Sequence, residues 1–172
     1  MIKLDFQFDP DVSGPGGPYP DLWVDECQLG AFGGFQTFTV NNMDFSGPLP
    51  ILGFARTLKV VANLLMNIRV GEKEYRDLSS TWTITFRATG NDVEISDHRG
   101  SASISLSEFQ EAVQLYAKHV YEHCSKLSPG ILDNEFVVAW WNDDDYFAST
   151  FEPKKTDTGK LTPKHPFHTD GG

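Results

Sequence analysis

The chain is poor in cysteine: its 172 residues include only Cys27 and Cys124. Two cysteines so far apart do not make the disulfide framework of a small secreted domain. A single bridge between them stays open, although isolated reduced thiols are typical of a cytosolic protein. The first residues alternate apolar and polar side chains, which is the pattern of a strand and not of a signal peptide. We therefore predict a cytoplasmic protein.

Long apolar runs are also lacking, since no stretch reaches the ~18 uninterrupted residues of a membrane span. The longest candidate, residues 49–68, is interrupted by Arg56, Lys59, Asn63 and Asn67. Apolar residues nevertheless make up 40% of the chain, too many for a disordered protein. The length suits one domain with a real core, so we predict a single folded domain over residues 1–151 and a flexible tail over residues 152–172.

Cations are scarce: 14 Lys and Arg stand against 24 Asp and Glu, for a formal charge of −10. Residues 1–151 hold 21 of the acids and 10 of the cations, a net charge of −11, so the predicted domain is more acidic than the whole chain. Such a surface repels phosphate backbones and anionic membranes, which excludes nucleic acid and membrane surfaces as partners. It attracts basic proteins, although negative charge also serves solubility alone.

The periodicity predicts an α+β fold, because strands come in groups and are not interleaved singly with helices. We expect two long helices and a mostly antiparallel sheet, in the order βββ-α-βββ-α-β. Residues 72–77 are interpreted as a charged link, and Ser107 as the N-cap of the second helix, in a capping box with Gln110. The expected strands cover residues 2–8, 22–29, 35–40, 82–88, 93–95, 102–106 and 134–141, and the expected helices residues 51–68 and 108–127.

One motif suggests a metal site: His119, Glu122 and His123 have the H-x-x-E-H spacing of a class of zinc peptidases. Residues four apart share a helix face, so the two histidines could hold one ion. A catalytic zinc needs a third protein ligand, which the sequence does not supply, and these residues flank the buried stripe. We therefore expect two surface histidines, no cofactor and no enzymatic activity, and keep a small zinc-dependent hydrolase as a minor alternative.

A run of acids with aromatic neighbours is the preferred candidate for a binding surface. Aromatic anchors beside charge are favoured at protein interfaces, whereas the spacing of these acids does not match a calcium-binding loop. The candidate partner-binding residues are Trp141, Asp143, Asp144, Asp145 and Tyr146.

The part of the chain over residues 81–127 resembles bacterial immunity proteins, the antidotes of contact-dependent growth inhibition and other polymorphic toxin systems. The resemblance rests on the strand Trp82-Thr83-Ile84-Thr85-Phe86, the hairpin strand Val93-Glu94-Ile95, and the passage from a strand into Ser105-Leu106-Ser107-Glu108-Phe109. It implies an inhibitor without catalytic activity that binds one cognate toxin domain, often a basic nuclease. An acidic scaffold or adaptor protein of unrelated function is the alternative, and it predicts weaker salt dependence of partner binding.

Overall fold

A computed structural model describes residues 1–10, 32–77, 81–128, 130, 135–142, 154–155 and 161–162. The elements that build the fold are, in chain order, β1 Ile2–Phe8, β2 Gly33–Val40, β3 Met43–Asp44, β4 Gly47–Pro50, α1 Ile51–Ile68, β5 Val70–Arg76, β6 Thr83–Thr89, β7 Asp92–Asp97, β8 Gly100–Ser105, α2 Leu106–Leu127 and α3 Glu135–Asn142. Two further strands, β9 Lys154–Lys155 and β10 Leu161–Thr162, pair with each other. The α+β class, the antiparallel strands and the two main helices confirm the sequence prediction.

The first sheet is organised around β2. β1 pairs with one edge of β2 over its whole length, and β3 and β4 share the other edge, all antiparallel. Asn41 and Asn42 have positive φ angles, which let the chain turn tightly from β2 into β3. The expected strand over residues 22–29 lies outside the described residues.

The second sheet is a four-stranded antiparallel meander in the order β5-β6-β7-β8. The prediction of a charged link over residues 72–77 is wrong, because most of that segment belongs to β5, which pairs with β6 from Val70 to Arg76. The segment alternates exposed charges with Tyr75, which is buried. A strand at a sheet edge needs few apolar residues. The charged side chains of residues 72–77 therefore did not indicate a strand.

Helix α1 is confirmed over residues 51–68, and it is the central element of the fold. Its first amide, at Ile51, donates to the carbonyl of Phe32 at 2.9 Å, and Arg69 ends it in the left-handed conformation. By length and composition alone α1 could cross a membrane, but 67% of it is buried within the fold. It is therefore a core helix, and it is buried on every side through its first turns.

The N-cap of helix α2 lies two residues before the predicted one. The hydroxyl of Ser105 accepts a hydrogen bond from the amide of Glu108 at 3.2 Å, so Ser105 is the N-cap and the prediction of Ser107 is wrong. Ser105 and Glu108 also fit the Ser-x-x-Glu spacing of a capping box. The expected stripe of α2 is largely confirmed, with buried side chains at Leu106, Phe109, Val113, Tyr116, Ala117, Val120 and Cys124.

The two sheets share one core. Phe38 of β2 stacks on Phe86 of β6 with ring centroids 6.5 Å apart, and Phe109 of α2 packs against Phe86. At the rim the sheets are joined by Asn41, whose side-chain amide donates to the carbonyl of Ser103 at 2.7 Å. α1 and α2 pack on each other and on both sheets.

The prediction of a final strand over residues 134–141 is wrong, because residues 135–142 form α3. Val137, Trp140 and Trp141 recur at helical spacing, and all three are buried. The residues 136–138 carry the aromatic and β-branched side chains typical of strands, but packing on α1 overrides that propensity.

Candidate functional site: α3 and its contacts with α1

The C-terminal end of α3 is held by two cations of α1. Arg56 Nε donates to the carbonyl of Trp140 at 2.9 Å, and Lys59 Nζ donates to the carbonyl of Trp141 at 2.5 Å. The last carbonyls of a helix have no partner within it and carry the negative end of its dipole. Arg56 and Lys59 satisfy these carbonyls and neutralise that charge.

The same two cations lie over the indole rings of α3. The guanidinium carbon of Arg56 is 5.4 Å from the ring centroid of Trp140, and Lys59 Nζ is 5.0 Å from that of Trp141. Cations at this distance are attracted to the negative face of an aromatic ring, more strongly when water is excluded. Arg56 is only 1% exposed, so this attraction operates inside the core.

Trp141, a predicted partner-binding residue, is covered by the protein's own chain. It is 9% exposed, and its ring packs on Tyr121 of α2 with centroids 5.0 Å apart. The other four candidate residues, Asp143, Asp144, Asp145 and Tyr146, follow α3 in the sequence and lie outside the described residues. Their part in partner binding stays a prediction.

Sequence reasoning noted Arg56 and Lys59 only as interruptions of an apolar run and missed their role. The sequence did contain a signal for this role. Arg56 and Lys59 are three residues apart, so they occupy neighbouring positions on an otherwise apolar helix. Buried cations require partners, and helix C-termini are among the few neutral groups that attract them.

The described part of the domain is much less acidic than the sequence total. It carries all ten cations of residues 1–151 and thirteen of the 21 acids, a net charge of −3. The other eight acids, which lie outside the described residues, are Asp11, Asp21, Asp25, Glu26, Asp133, Asp143, Asp144 and Asp145. These eight account for most of the surplus, and the segments that carry them have no cation.

Most cations of the described part are engaged with groups of the same chain. Arg87 pairs with Glu72 at 2.8 Å, Arg76 with Glu74 at 2.9 Å, and Arg99 with Asp97 at 2.7 Å. Arg69 donates to the carbonyl of Met66, while Arg56 and Lys59 hold α3. The positive charge of this protein is therefore largely neutralised internally.

Asp97 is a carboxylate with several partners inside the fold. Its side chain is fully covered, and it accepts from Trp82 Nε1 at 3.1 Å and from Arg99 Nε at 2.9 Å. Burial by itself raises the pKa of Asp97, but the hydrogen bonds from Arg99 and Trp82 outweigh it and lower the pKa below the ordinary value. Arg99 also donates to the carbonyl of Ser46, so the group joins the two sheets.

The histidine motif of α2 is exposed, as expected from its place beside the buried stripe. His119, Glu122 and His123 all lie at the surface, and His123 Nδ1 approaches the carbonyl of His119 at 2.8 Å. Within the described ranges no three His, Cys, Asp or Glu side chains are close enough to hold one metal ion. The geometry therefore adds no third ligand to the spacing.

A buried polar contact links α2 to the first sheet. The hydroxyl of Tyr116 donates to the side-chain carbonyl of Gln36, whose amide donates to the carbonyls of Asp5 and Thr37 at 2.7 and 2.8 Å. Burial raises the pKa of Tyr116 well above its ordinary value. The hydroxyl stays protonated and serves as a structural donor.

Comparison of the chain with protein-family models, with curated protein sequences and with solved structures finds no match.

Proposed function

We propose that this protein is a cytoplasmic immunity protein that binds a basic toxin domain, such as a nuclease, and neutralises it without catalysis. The observation that carries the proposal is the distribution of charge. Residues 1–151 carry 21 acids and 10 cations, and eight of these acids lie in the stretches 11–31, 131–134 and 143–151, which contain no cation. A partner that binds phosphate groups is basic, and it would be attracted to such segments.

The internal use of cations supports the same proposal. Arg56, Lys59, Arg76, Arg87 and Arg99 are engaged with carbonyls or carboxylates of the chain. The field that an approaching basic partner meets is then governed by carboxylates. Complementary fields of this kind mainly raise the association rate and select the partner.

Each predicted site residue has a distinct part in this proposal. Trp141 anchors α3 on Tyr121 and beneath Lys59. Asp143, Asp144, Asp145 and Tyr146 follow directly in sequence and make the contacts with the toxin. Arg56 and Lys59 favour this arrangement, because three acids just beyond a helix C-terminus would otherwise oppose the helix dipole.

The test is coexpression with the toxin encoded beside this gene, followed by binding kinetics at several salt concentrations. We expect rescue of growth and an association rate constant that falls steeply as salt rises. No rescue and no complex would refute the proposal. A complex with an association rate insensitive to salt would favour an acidic adaptor instead.

A matched pair of triple variants tests where the contact lies. Changing Asp143, Asp144 and Asp145 to Asn should slow association about 10-fold or more, since charged pairs across an interface act mainly on that rate. The control changes Glu111 and Glu122 to Gln and Asp92 to Asn, and removes the same charge at exposed positions outside α3. Equal slowing by both variants would show that net charge alone matters and would contradict the assignment of residues 143–145.

A further inference from the structure

Strand β1 forms an edge of the first sheet, since β2 is its one strand partner in the described part of the chain. The amide of Asp9 donates to Gly33, so the odd-numbered residues of this segment turn their backbone groups toward β2. Backbone groups alternate in direction along a strand. Those of Leu4, Phe6 and Phe8 therefore point to the opposite edge.

At the centre of this edge, the carboxylate of Asp5 takes the place of the carbonyl that a neighbouring strand would supply. The amide of Phe6 donates to Oδ1 of the neighbouring Asp5 at 2.9 Å, in an exposed position. The side chains of Ile2, Leu4, Phe6 and Phe8 are only half-buried, although they face the same side as the core. An edge with a row of half-covered apolar side chains is a template for pairing with another strand.

We propose that the strand that pairs with this edge is β1 of a second copy of the same chain. The sequence around Leu4 is self-complementary: with Leu4 on a two-fold axis, Lys3 lies opposite Asp5 of the other copy, and Ile2 lies opposite Phe6. Symmetry repeats each pair, so two Lys–Asp pairs form on the outer face. Asp5 then turns to Lys3 of the second copy, and the amide of Phe6 bonds to the facing strand.

The position of α2 agrees with this register. The N-terminal amine of Met1 is 3.7 Å from Glu108, and the ring of Phe6 contacts His123, so α2 runs alongside β1 in the same direction. Three strand residues span about 10 Å, which is about seven helical residues. Leu4 therefore lies level with Leu115, which is 57% exposed.

Leu115 faces the side on which the second copy would sit. α1 meets α2 at Gln110, whose side chain bonds to Asn63, and Leu115 lies about 140° further around the helix. Tyr116 contacts both Phe6 and Gln36, which places α2 above the gap between β1 and β2. In such a dimer the α2 helices of the two copies lie about 10 Å apart, which is a normal packing distance. Leu115 of one copy then contacts Leu115 of the other.

This inference is independent of the proposed function, because it concerns a face made by β1 and α2. The experiment is sedimentation velocity of the full chain between about 1 and 100 µM, since a dimer is revealed by its dependence on concentration. We expect a species of twice 19.2 kDa. A chain that stays monomeric throughout would overturn the proposal.

Charge exchange tests the register. Lys3→Glu and Asp5→Lys each put like charges opposite one another twice, and each should weaken the dimer about 10-fold or more. The double variant restores both pairs and should dimerise within about 3-fold of the unchanged chain. Leu115→Glu should also weaken the dimer.

The control is Asp92→Lys, an exposed substitution of the same kind on β7. It should leave the dimer unchanged, and circular dichroism of all variants should match that of the parent chain. A dimer that tolerates Lys3→Glu and Asp5→Lys would show that the copies meet elsewhere, and it would overturn the proposal as well.

Discussion

At the scale of single residues, Arg56 shows how a charge is accommodated in this core. Its guanidinium is nearly inaccessible to water, and it contacts a helix C-terminus and an indole ring. Removing a cation from water is unfavourable. Contacts that Arg56 makes only in the folded state must therefore offset this free energy of desolvation. The position of α3 therefore depends on Arg56 as well as on Lys59.

Arg56→Met keeps much of the side-chain volume and removes the charge. We expect the free energy of unfolding to fall by about 2–4 kcal/mol, because the carbonyl of Trp140 loses its buried donor. Urea denaturation followed by tryptophan fluorescence measures it. Lys118→Met on the exposed side of α2 is the control and should stay within about 0.5 kcal/mol. A loss for Arg56→Met no larger than the control would mean that the contact with α3 adds nothing.

Asp97 gives the stability a defined dependence on pH. Its pKa is lowered in the folded state, so its stabilisation is fully present above the unfolded value, near 3.8, and is lost as the pH falls through the folded pKa. Asp97→Asn should therefore be less stable than the parent chain at pH 7, and the difference should shrink below about pH 4. Urea midpoints at several pH values test this. A difference that stays constant down to pH 2.5 would contradict the role assigned to the carboxylate.

The sequence predicted single residues well where one face of a helix decides their environment. The exposed His119 and His123 and the buried Tyr116 and Val120 all follow from the period of α2. Arg56 could not be placed in this way, because its burial comes from α3, which lies 84 residues further along the chain. Periodicity describes one helix and contains no information about what covers its other faces.

At the scale of elements, the errors share a physical cause. β5 carries too many charges to resemble a buried strand, and α3 carries too many strand-forming residues to resemble a helix. Short elements at the rim depend on their neighbours more than on their own propensities. The long elements α1, β6 and α2 were predictable because each has enough turns or alternations to define a period.

The start of α2 provides a discriminating test at this scale. Ser105→Ala removes the acceptor for the amide of Glu108 and should lower the free energy of unfolding by about 1 kcal/mol. Ser107→Ala, at the position that the sequence favoured, should change it by less than about 0.5 kcal/mol. Chemical denaturation of both variants decides between the two caps. A larger effect at Ser107 would restore the original prediction.

At the scale of the whole molecule, α1 is the element that the others surround. Its first turns contact both sheets through Phe54 and α3 through Arg56, and twelve of its eighteen residues are buried. Regions of this kind open only when the whole domain unfolds, whereas edge strands open locally. The candidate binding segment begins at α3, so it is attached to the most stable part of the fold.

Hydrogen exchange monitored by mass spectrometry tests this ranking. Peptides from the first three turns of α1 should exchange most slowly, at a rate set by global unfolding. Peptides from β5, which pairs on one side only among the described residues, should exchange much faster. Equal rates in α1 and β5 would show that the domain has no such hierarchy.

The distance along the chain between Arg56 and its acceptor also matters while the protein is being made. Synthesis at about 5–20 residues per second takes about 4–17 seconds to cross the 84 residues between Arg56 and Trp140. During that interval the guanidinium of Arg56 has no C-terminus of α3 to bind and remains hydrated. The first half of α1 therefore cannot yet be fully buried. The core around Arg56 is therefore completed only after α3 has been made, and a chain that stops short of α3 leaves this part of its central helix uncovered.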